Sequence, residues 1–258
     1  MTAASRSPAA VGPALWRMGR LLLHIIHGVL IVRLRFGQLD AARRHAQIGR
    51  WATGVLRLLH IGLRTEGDLA DGPTLMVANH VSWLDIVVIH AVCPQARFVS
   101  KAVVGDWPVI GTLVTGAATL MVDRQRRHDT ARALDTMVQA LACGDTVAVF
   151  PEGTTSDGTQ VLDFHTSLLH CAVTAQAIVQ PVALRYSEDG HALSTSVPYV
   201  GTTSFVESLW RVCKARDVTV TIRLCPVVSG PHTDRRVLAR ELRRTIASAR
   251  DDLAQPMS

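Results

Sequence analysis

Residues 74–92 read TLMVANHVSWLDIVVIHAV, and the way this stretch divides determines the predicted fold. Residues 74–78 form a short, continuous apolar run, which is typical of a strand buried on both faces of a sheet. A polar turn separates this run from residues 83–92, which are apolar and long enough for a helix. A strand that passes through a short turn into a helix is the building unit of α/β folds.

The same alternation continues along the chain. Further strands are predicted at residues 96–100, 118–122, 146–150, 178–184 and 218–225, and further helices at 129–143, 166–176, 204–214 and 233–252. The pattern predicts an α/β fold with a mainly parallel, mixed sheet covered by helices on both faces. In such a sheet, functional loops lie just beyond the carboxyl ends of the strands.

Length and composition are those of a globular chain. With 258 residues, 48% apolar and 19% charged, the chain can bury one sizeable core in one or two domains. This excludes a disordered or fibrous protein. The motifs H-E-x-x-H, G-x-G-x-x-G and G-x-x-x-x-G-K-[ST] do not occur, so neither a metal nor a bound cofactor is expected.

Basic residues are concentrated in residues 1–64, which hold ten arginines and one acidic residue, Asp40. Such a segment is attracted to a polyanion, either nucleic acid or an anionic membrane surface. Apolar residues lie between the arginines, which favours the membrane over nucleic acid. We therefore predict two membrane-associating helices, at 13–36 and 41–63, in a segment 1–64 that precedes an α/β domain at 65–258.

The depth of insertion follows from the length of the apolar run. Residues 21–32 are only 12 residues, whereas a span needs about 20, and no signal-peptide cleavage site follows them. The first helix is expected to lie in one leaflet; the alternative is that both helices simply pack on the body. Five cysteines without a C-x-x-C pair indicate a reducing compartment, hence the cytoplasmic face of the membrane.

The turn after the first strand contains His80 and, five residues later, Asp85. On one continuous helix these side chains would point away from each other, so they can meet only if His80 lies in the loop. Ser82 would then begin the helix as its N-cap, with Asp85 at the capping-box spacing. Spacing alone leaves both readings of Asp85 open, a helix cap or a partner of His80.

A second polar turn, FPEGTTSDG at residues 150–158, follows the strand at 146–150. Its hydroxyl and main-chain N–H groups could hold an oxyanion or a substrate hydroxyl. A plain polar turn is the alternative interpretation.

Taken together, N-H-x-x-x-x-D at residues 79–85 and F-P-E-G-T at 150–154 resemble the 1-acylglycerol-3-phosphate O-acyltransferase family. Weaker similarity at residues 98–101, 107–111, 121–124 and 179–182 appears in the family's order, so the resemblance covers residues 72–186. It implies an enzyme that esterifies a lysophospholipid with the acyl group of acyl-CoA or acyl carrier protein.

The resemblance also implies roles for particular residues. His80 would be the general base and Asp85 would hold its tautomer. The acceptor head group would be bound by Glu152, Gly153 and Thr154, and an anionic part of acceptor or donor by Arg124 and Lys101.

Two departures bear on the acceptor. Thr155 and His165 stand where glycerophosphate-using members commonly carry Arg and Lys, and residues 151–158 are similar to lyso-ornithine lipid acyltransferases of the same superfamily. We expect 1-acylglycerol-3-phosphate by a narrow margin, because it is the commonest acceptor in the superfamily and Arg124 is present. A lyso-ornithine lipid is the alternative. A lipid ester or thioester hydrolase and a non-catalytic membrane-binding protein are more distant alternatives.

Overall fold

The computed structural model describes residues 11–122 and 127–254, and only the backbone of Lys101 and of residues 127–130. The helices are α1 (Val11–Arg35), α2 (Ala41–Leu58), α3 (Leu84–Val92), α4 (Ile110–Gly116), α5 (Arg127–Ala142), α6 (Thr166–Ala175), α7 (Phe205–Lys214) and α8 (Arg235–Asp252). The strands are β1 (Gly62–Glu66), β2 (Thr74–Ala78), β3 (Arg97–Lys101), β4 (Leu120–Val122), β5 (Val147–Val149), β6 (Ile178–Ser187) and β7 (Thr219–Leu224).

The strands form one sheet in the order β1-β7-β6-β2-β5-β3-β4. β6 and β7 run antiparallel, and the other neighbouring pairs are parallel. This confirms the predicted mainly parallel, mixed sheet. β2 and β5 are adjacent, so the two turns that follow them emerge side by side at the same edge.

Helices cover both faces of the sheet, as predicted. On β2, Met76 and Ala78 pack into a core that includes residues of α2, α3 and α7. Leu75 and Val77 point the other way, into a second core built with α5, α6 and α8. All five residues of β2 are buried, because each face of the strand has its own helix layer.

The first difference from the sequence-based prediction lies at the end of α2. The helix was expected to reach residue 63 but ends at Leu58, because His60 adopts a left-handed conformation (φ 56°). The Ile61 N–H then donates to the Leu56 carbonyl and the His60 N–H to the Arg57 carbonyl, which is the Schellman pattern. The freed residues form β1, which pairs in parallel with β7 at the edge of the sheet.

Other differences are smaller. α4 was not predicted, and β6 continues three residues beyond the expected end at residue 184. The remaining predicted elements end within two residues of the observed bounds. The division of the chain at residue 64 stays a prediction; β1 spans that position.

α1 packs against the body along much of its length. Arg17 donates to the carbonyls of Cys213 and Ala215 at the end of α7, at 3.2 and 2.8 Å. Farther along, Gly28 lies against Trp51 of α2 and Val32 against Gly116 of α4. One side of α1 therefore packs on the body, as the alternative to membrane association predicted.

The opposite side of α1 is apolar and exposed. We call it the exposed apolar stripe; its residues are Leu15, Trp16, Leu22, Leu23, Ile26, Leu30 and Leu34. By length and composition, Val11–Gln38 is the one segment among the described residues that could cross a membrane. The helix thus has one side adapted to the protein and one side adapted to an apolar medium.

Candidate active site

The turn after β2 is fixed first by Asn79, which is buried beneath it. Its side-chain N–H donates to the Leu184 carbonyl at 3.0 Å, and its side-chain oxygen accepts the Leu184 N–H at 2.7 Å. The paired bonds join the end of β2 to β6. The residue that follows, His80, is therefore held at the carboxyl edge of the sheet.

His80 and Asp85 meet across the turn. Nδ1 of His80 lies 2.8 Å from Oδ2 of Asp85, and the same oxygen accepts the N–H groups of Val81 and Ser82 at 2.7 and 2.9 Å. Asp85 is fully buried in the first turn of α3, whereas 18% of the His80 side chain is exposed. Asp85 therefore makes backbone contacts at the start of the helix and also binds His80, so both interpretations of this residue apply.

This arrangement selects one tautomer of His80. The carboxylate can only accept hydrogen bonds, so Nδ1 must carry the proton that it donates to Asp85. In the neutral ring, Nε2 then carries the lone pair. A neutral imidazole with a free Nε2 can take a proton from a hydroxyl group.

The helix itself begins one residue later than expected. Ser82 was predicted as the N-cap, but α3 starts at Leu84 with Trp83 in the cap position and no side-chain cap on it. The Ser82 hydroxyl makes only a long contact, 3.4 Å, with the Leu84 N–H. The start of the helix is stabilised instead by Asp85, which reaches back to the preceding amides.

Tyr186 is a member of the site that the sequence analysis missed. Its buried hydroxyl donates to the second oxygen of Asp85 at 2.7 Å. Burial, then the charge of Asp85 and this hydrogen bond, raise the pKa of Tyr186 well above its ordinary value, so the hydroxyl stays a donor. The strand was expected to end at residue 184; a tyrosine in a longer buried strand would have indicated the need for a hydroxyl partner.

Glu152 joins the second turn to the first. One carboxylate oxygen accepts the backbone N–H of His80 at 2.7 Å, and the other accepts the backbone N–H of Leu162 at 2.9 Å. Burial raises the pKa of Glu152, against the two hydrogen bonds and the nearby His80, which lower it. The side chain predicted to contact the acceptor is therefore bonded to the protein's own backbone, directly at His80.

Gly153 and Thr154 are exposed on the same turn. Gly153 has φ 70°, and a Cβ there would lie 2.8 Å from the ring of His165, so only glycine fits without strain. The next residue, Thr155, donates its hydroxyl to the Tyr199 carbonyl. The Tyr199 N–H donates to the Val81 carbonyl at 3.0 Å. The segment around Tyr199 is therefore a third part of the site, beside the two turns, and it was not predicted.

Aromatic rings support the imidazole from behind. The His80 ring stacks on Phe150, with centroids 4.0 Å apart and planes 10° from parallel. Phe150 stacks on Phe98 at 5.7 Å, and Phe98 meets the ring of His90 edge-on at 5.0 Å. The plane of His80 is therefore fixed by packing as well as by Asp85.

Two cationic residues, Lys101 and Arg124, were predicted to bind an anionic part of the substrates. Neither side chain is among those that the structure describes. Lys101 is the last residue of β3, and Arg124 lies outside the described residues. Their roles stay predictions. Within residues 11–122 and 127–254, no group of three or more His, Cys, Asp or Glu side chains is placed to hold a metal ion.

An apolar cavity of about 210 Å³ lies on the side of the sheet that carries α1. It is partly open and lies between α1, α2, α3, α4 and α7. Ile86, Val87 and His90 of α3 line it, together with Trp83 just before that helix. One wall of the cavity is therefore formed by the helix whose first turn contains Asp85.

Comparisons with known proteins show what this chain is similar to. A family model described as Acyltransferase matches residues 60–185. The chain is 36% identical to a lyso-ornithine lipid O-acyltransferase of Brucella abortus (strain 2308), covering 74% of this chain and 77% of the relative. It is 32% identical to a 1-acyl-sn-glycerol-3-phosphate acyltransferase of Neisseria meningitidis serogroup B, covering 78% of each.

The solved structures include one with the same fold. The crystal structure of the 1-acyl-sn-glycerophosphate acyltransferase PlsC from Thermotoga maritima superposes with a TM-score of 0.68. It covers 94% of this chain and 99% of that chain at 21% sequence identity.

Proposed function

This chain belongs to the acyltransferase family whose members acylate lysolipids, and we propose that His80 and Asp85 carry out the transfer from a fatty acyl thioester. The donor would be acyl-CoA or acyl carrier protein. The observation that carries the proposal is the His80–Asp85 hydrogen bond of 2.8 Å, with Glu152 bonded to the backbone of the same histidine.

The proposed reaction needs no covalent acyl-enzyme, because the thioester is already activated. Nε2 of His80 takes the proton of the acceptor hydroxyl while the hydroxyl oxygen forms a bond to the thioester carbonyl carbon. When the tetrahedral intermediate collapses, the carbon–sulfur bond breaks, and Nε2 gives its proton to the sulfur, which leaves as the thiol. Asp85 stabilises the imidazolium that exists between these two steps.

The second turn would bind the substrates around this centre. Gly153 and Thr154 are exposed beside His80 and could contact the acceptor head group through their backbone N–H groups or the Thr154 hydroxyl. Glu152 contributes by position, since its carboxylate holds the backbone of His80. Lys101 and Arg124 would bind an anionic part of donor or acceptor.

The direct test is acyl transfer by the purified protein from a labelled thioester to a panel of lysolipids. His80→Ala should lower kcat by at least about 10²-fold, because a general base contributes that much. His170→Ala, which removes an exposed histidine on α6, is the matched control and should be close to wild type. If His80→Ala kept more than a few per cent of the rate, the base assignment would be wrong.

The products of the same assay distinguish the two enzyme classes. A transferase accumulates the acylated lipid, with label in the acceptor. A hydrolase would release free fatty acid at the same rate with or without acceptor. Release of that kind would contradict the proposed transfer.

For the acceptor we favour a lyso-ornithine lipid, although the sequence alone slightly favoured 1-acylglycerol-3-phosphate. That preference rested on how common this acceptor is in the superfamily and on Arg124, which lies outside the described residues. Thr155, in contrast, is bonded through its hydroxyl to Tyr199 and brings no charge to the turn. The relatives at 36% and 33% identity are lyso-ornithine lipid O-acyltransferases, and the phosphate-using relative at 32% keeps 1-acylglycerol-3-phosphate as the second candidate.

The acceptor is tested with both lipids side by side and with two substitutions at one position. Thr155→Val removes the hydrogen bond to Tyr199 without adding charge, so it controls for the structural effect. Thr155→Arg adds a cation, which should repel the ornithine ammonium and attract a phosphate. Relative to Thr155→Val, we expect Thr155→Arg to lower kcat/KM for the ornithine acceptor and raise it for the phosphate. A wild-type preference for 1-acylglycerol-3-phosphate would reverse the choice.

Membrane association is indicated by the apolar α1 and by relatives that act on lipids. We propose that α1 lies along the surface of the membrane on its cytoplasmic side. The helix is long enough to cross a bilayer, but crossing would break its contacts with α7, α2 and α4. An interfacial helix keeps those contacts and buries the exposed apolar stripe in lipid.

A further inference from the structure

The apolar cavity extends along one face of α3. Trp83, Ile86, Val87 and His90 line it, at the spacing i, i+3, i+4 and i+7 of residues on one face of a helix. The cavity therefore runs for about two turns from the end of the helix where Asp85 holds His80. His90 lies about 7.5 Å farther along the helix axis than Asp85, at a rise of 1.5 Å per residue.

His90 carries the one fully buried side-chain nitrogen or oxygen that lacks a hydrogen-bond partner in the described part of the chain. The atom is Nδ1, and the residue as a whole is 7% exposed. Two other polar groups on the cavity wall are satisfied: Trp51 donates to the His24 carbonyl and Trp83 to the Ser208 hydroxyl. A buried polar atom without a partner is destabilising, so a partner from a ligand would be favoured.

We propose that the apolar cavity binds a fatty acyl chain that carries a hydroxyl group, and that Nδ1 of His90 hydrogen-bonds this hydroxyl. The inference rests on the proposed acyl transfer and assigns a preference among acyl chains to that site. An unsubstituted chain would fill the same cavity but would leave Nδ1 without a partner. A hydroxyl can both donate and accept, so it satisfies Nδ1 in either tautomer of the ring.

The charge state of His90 agrees with this assignment. Burial lowers the pKa of the ring to about 4. A hydrogen bond with the Pro94 backbone opposes this shift, and the charge of His45 adds to it. The ring is therefore neutral at neutral pH and binds an uncharged group. A carboxylate or phosphate on the chain would find no cation at this position.

Water is a poor substitute for the hydroxyl. A buried water needs two to four polar partners, and the residues that line the cavity are mostly apolar. A hydroxyl on an acyl chain needs fewer, because apolar contacts with Ile86, Val87 and the facing helices hold the rest of the chain. The cavity thus suits a group that is polar at one point and apolar elsewhere.

The experiment compares matched thioester donors of equal chain length, with and without a hydroxyl at successive mid-chain positions. The enzyme is the full chain in detergent micelles, and the measured quantity is the ratio of kcat/KM for the hydroxylated and plain donors. A second arm places the hydroxyl on the acyl chain of the acceptor. We expect wild type to favour one hydroxylated substrate by about tenfold, and the arm that shows this identifies which chain occupies the cavity.

His90→Phe fills similar space without the nitrogen atoms and should bring this ratio close to one. Ile86→Leu alters the same wall without a polar atom and should leave the ratio unchanged. A ratio within one preparation does not depend on the fraction of folded enzyme, and the wild-type ratio tests the inference without any variant. Equal use of plain and hydroxylated chains by wild type in both arms, or a ratio unchanged in His90→Phe, would overturn the inference.

The outcome separates this inference from the acyl transfer on which it rests. Efficient transfer of plain chains with no preference for a hydroxyl would leave the proposed function standing and reject the role of His90. Failure to transfer any chain would reject both.

Discussion

Asp85 accepts four hydrogen bonds while fully buried, and each donor has a different origin. His80 donates from the loop, Val81 and Ser82 from the backbone that leads into α3, and Tyr186 from β6. An isolated carboxylate in that position would be strongly destabilising. The four donors stabilise it and at the same time fix the direction in which its oxygen faces His80.

The role of Tyr186 is tested by removing only its hydroxyl. Tyr186→Phe leaves one oxygen of the buried Asp85 carboxylate without its donor, so we expect the free energy of unfolding to fall by about 1–3 kcal/mol. We also expect kcat to fall, but less than in Asp85→Asn, whose amide favours the wrong tautomer of His80. Denaturant unfolding and acyl-transfer kinetics measure the two effects.

The chain contains two tyrosines, and the second one supplies the control. Tyr199 makes its contacts at the site through its backbone, so Tyr199→Phe should change neither quantity. Equal behaviour of the two variants would mean that the Tyr186 hydroxyl does not support Asp85.

At the scale of elements, the crossing of α1 and α2 depends on two glycines. A Cβ on Gly28 would lie 2.4 Å from Nε1 of Trp51, and one on Gly54 would lie 2.7 Å from the ring of His24. His24 and Trp51 stack at 5.5 Å, and each side chain also hydrogen-bonds the other's carbonyl. The two helices therefore approach closely around one pair of rings.

Gly28→Ala should disrupt this pair. The methyl group would displace Trp51, so we expect a loss of unfolding free energy of about 1–3 kcal/mol from overpacking, despite the better helix propensity of alanine. Gly19→Ala in the same helix meets nothing within 4 Å and should stabilise by up to about 1 kcal/mol. Thermal unfolding of the two variants tests the prediction, and a change of the same sign in both would contradict it.

Several elements were predictable because their residues carry local signals. β2 is a continuous apolar run, and α7 begins where Ser204 accepts the N–H of Glu207, a cap that the sequence displays. β1 was missed because its strand character depends on pairing with β7, about 157 residues later in the chain. The ending of α2 depends on a left-handed histidine, where glycine would be the usual signal.

The candidate site shows the same division. His80, Asp85 and Glu152 lie in the two motifs that carry the family resemblance, so the sequence indicated them. The Tyr186–Asp85 and Thr155–Tyr199 bonds join segments that are distant in the chain, so no local pattern shows which residues they connect. The backbone role of Glu152 was hidden for the same reason, because a motif names a residue but not the atoms that it contacts.

At the scale of the whole molecule, the exposed apolar stripe should direct the protein to lipid. Leu23→Ser combined with Leu30→Ser removes two exposed side chains without touching the packed side of α1. Burying a leucine contributes about 1.5–3 kcal/mol, so binding to anionic liposomes should weaken by at least tenfold. Sedimentation with liposomes measures this.

The control for that experiment lies on another surface. Val237→Ser removes an exposed apolar residue from α8 and should bind liposomes like wild type. Raised salt should release wild type only in part, because it screens the arginines but not the apolar contacts. Complete release by salt alone would contradict the role of the stripe.

The docking of α1 on α7 has a consequence for the order of events during synthesis. Arg17 leaves the ribosome 198 residues ahead of its partner Ala215, and β1 is likewise synthesised long before its partner strand β7. Throughout most of translation, therefore, α1 has none of its α7 contacts and its apolar residues have only lipid or solvent to meet. The nascent chain can be captured by the bilayer before the sheet is complete, so the body of the enzyme would finish folding while already tethered there.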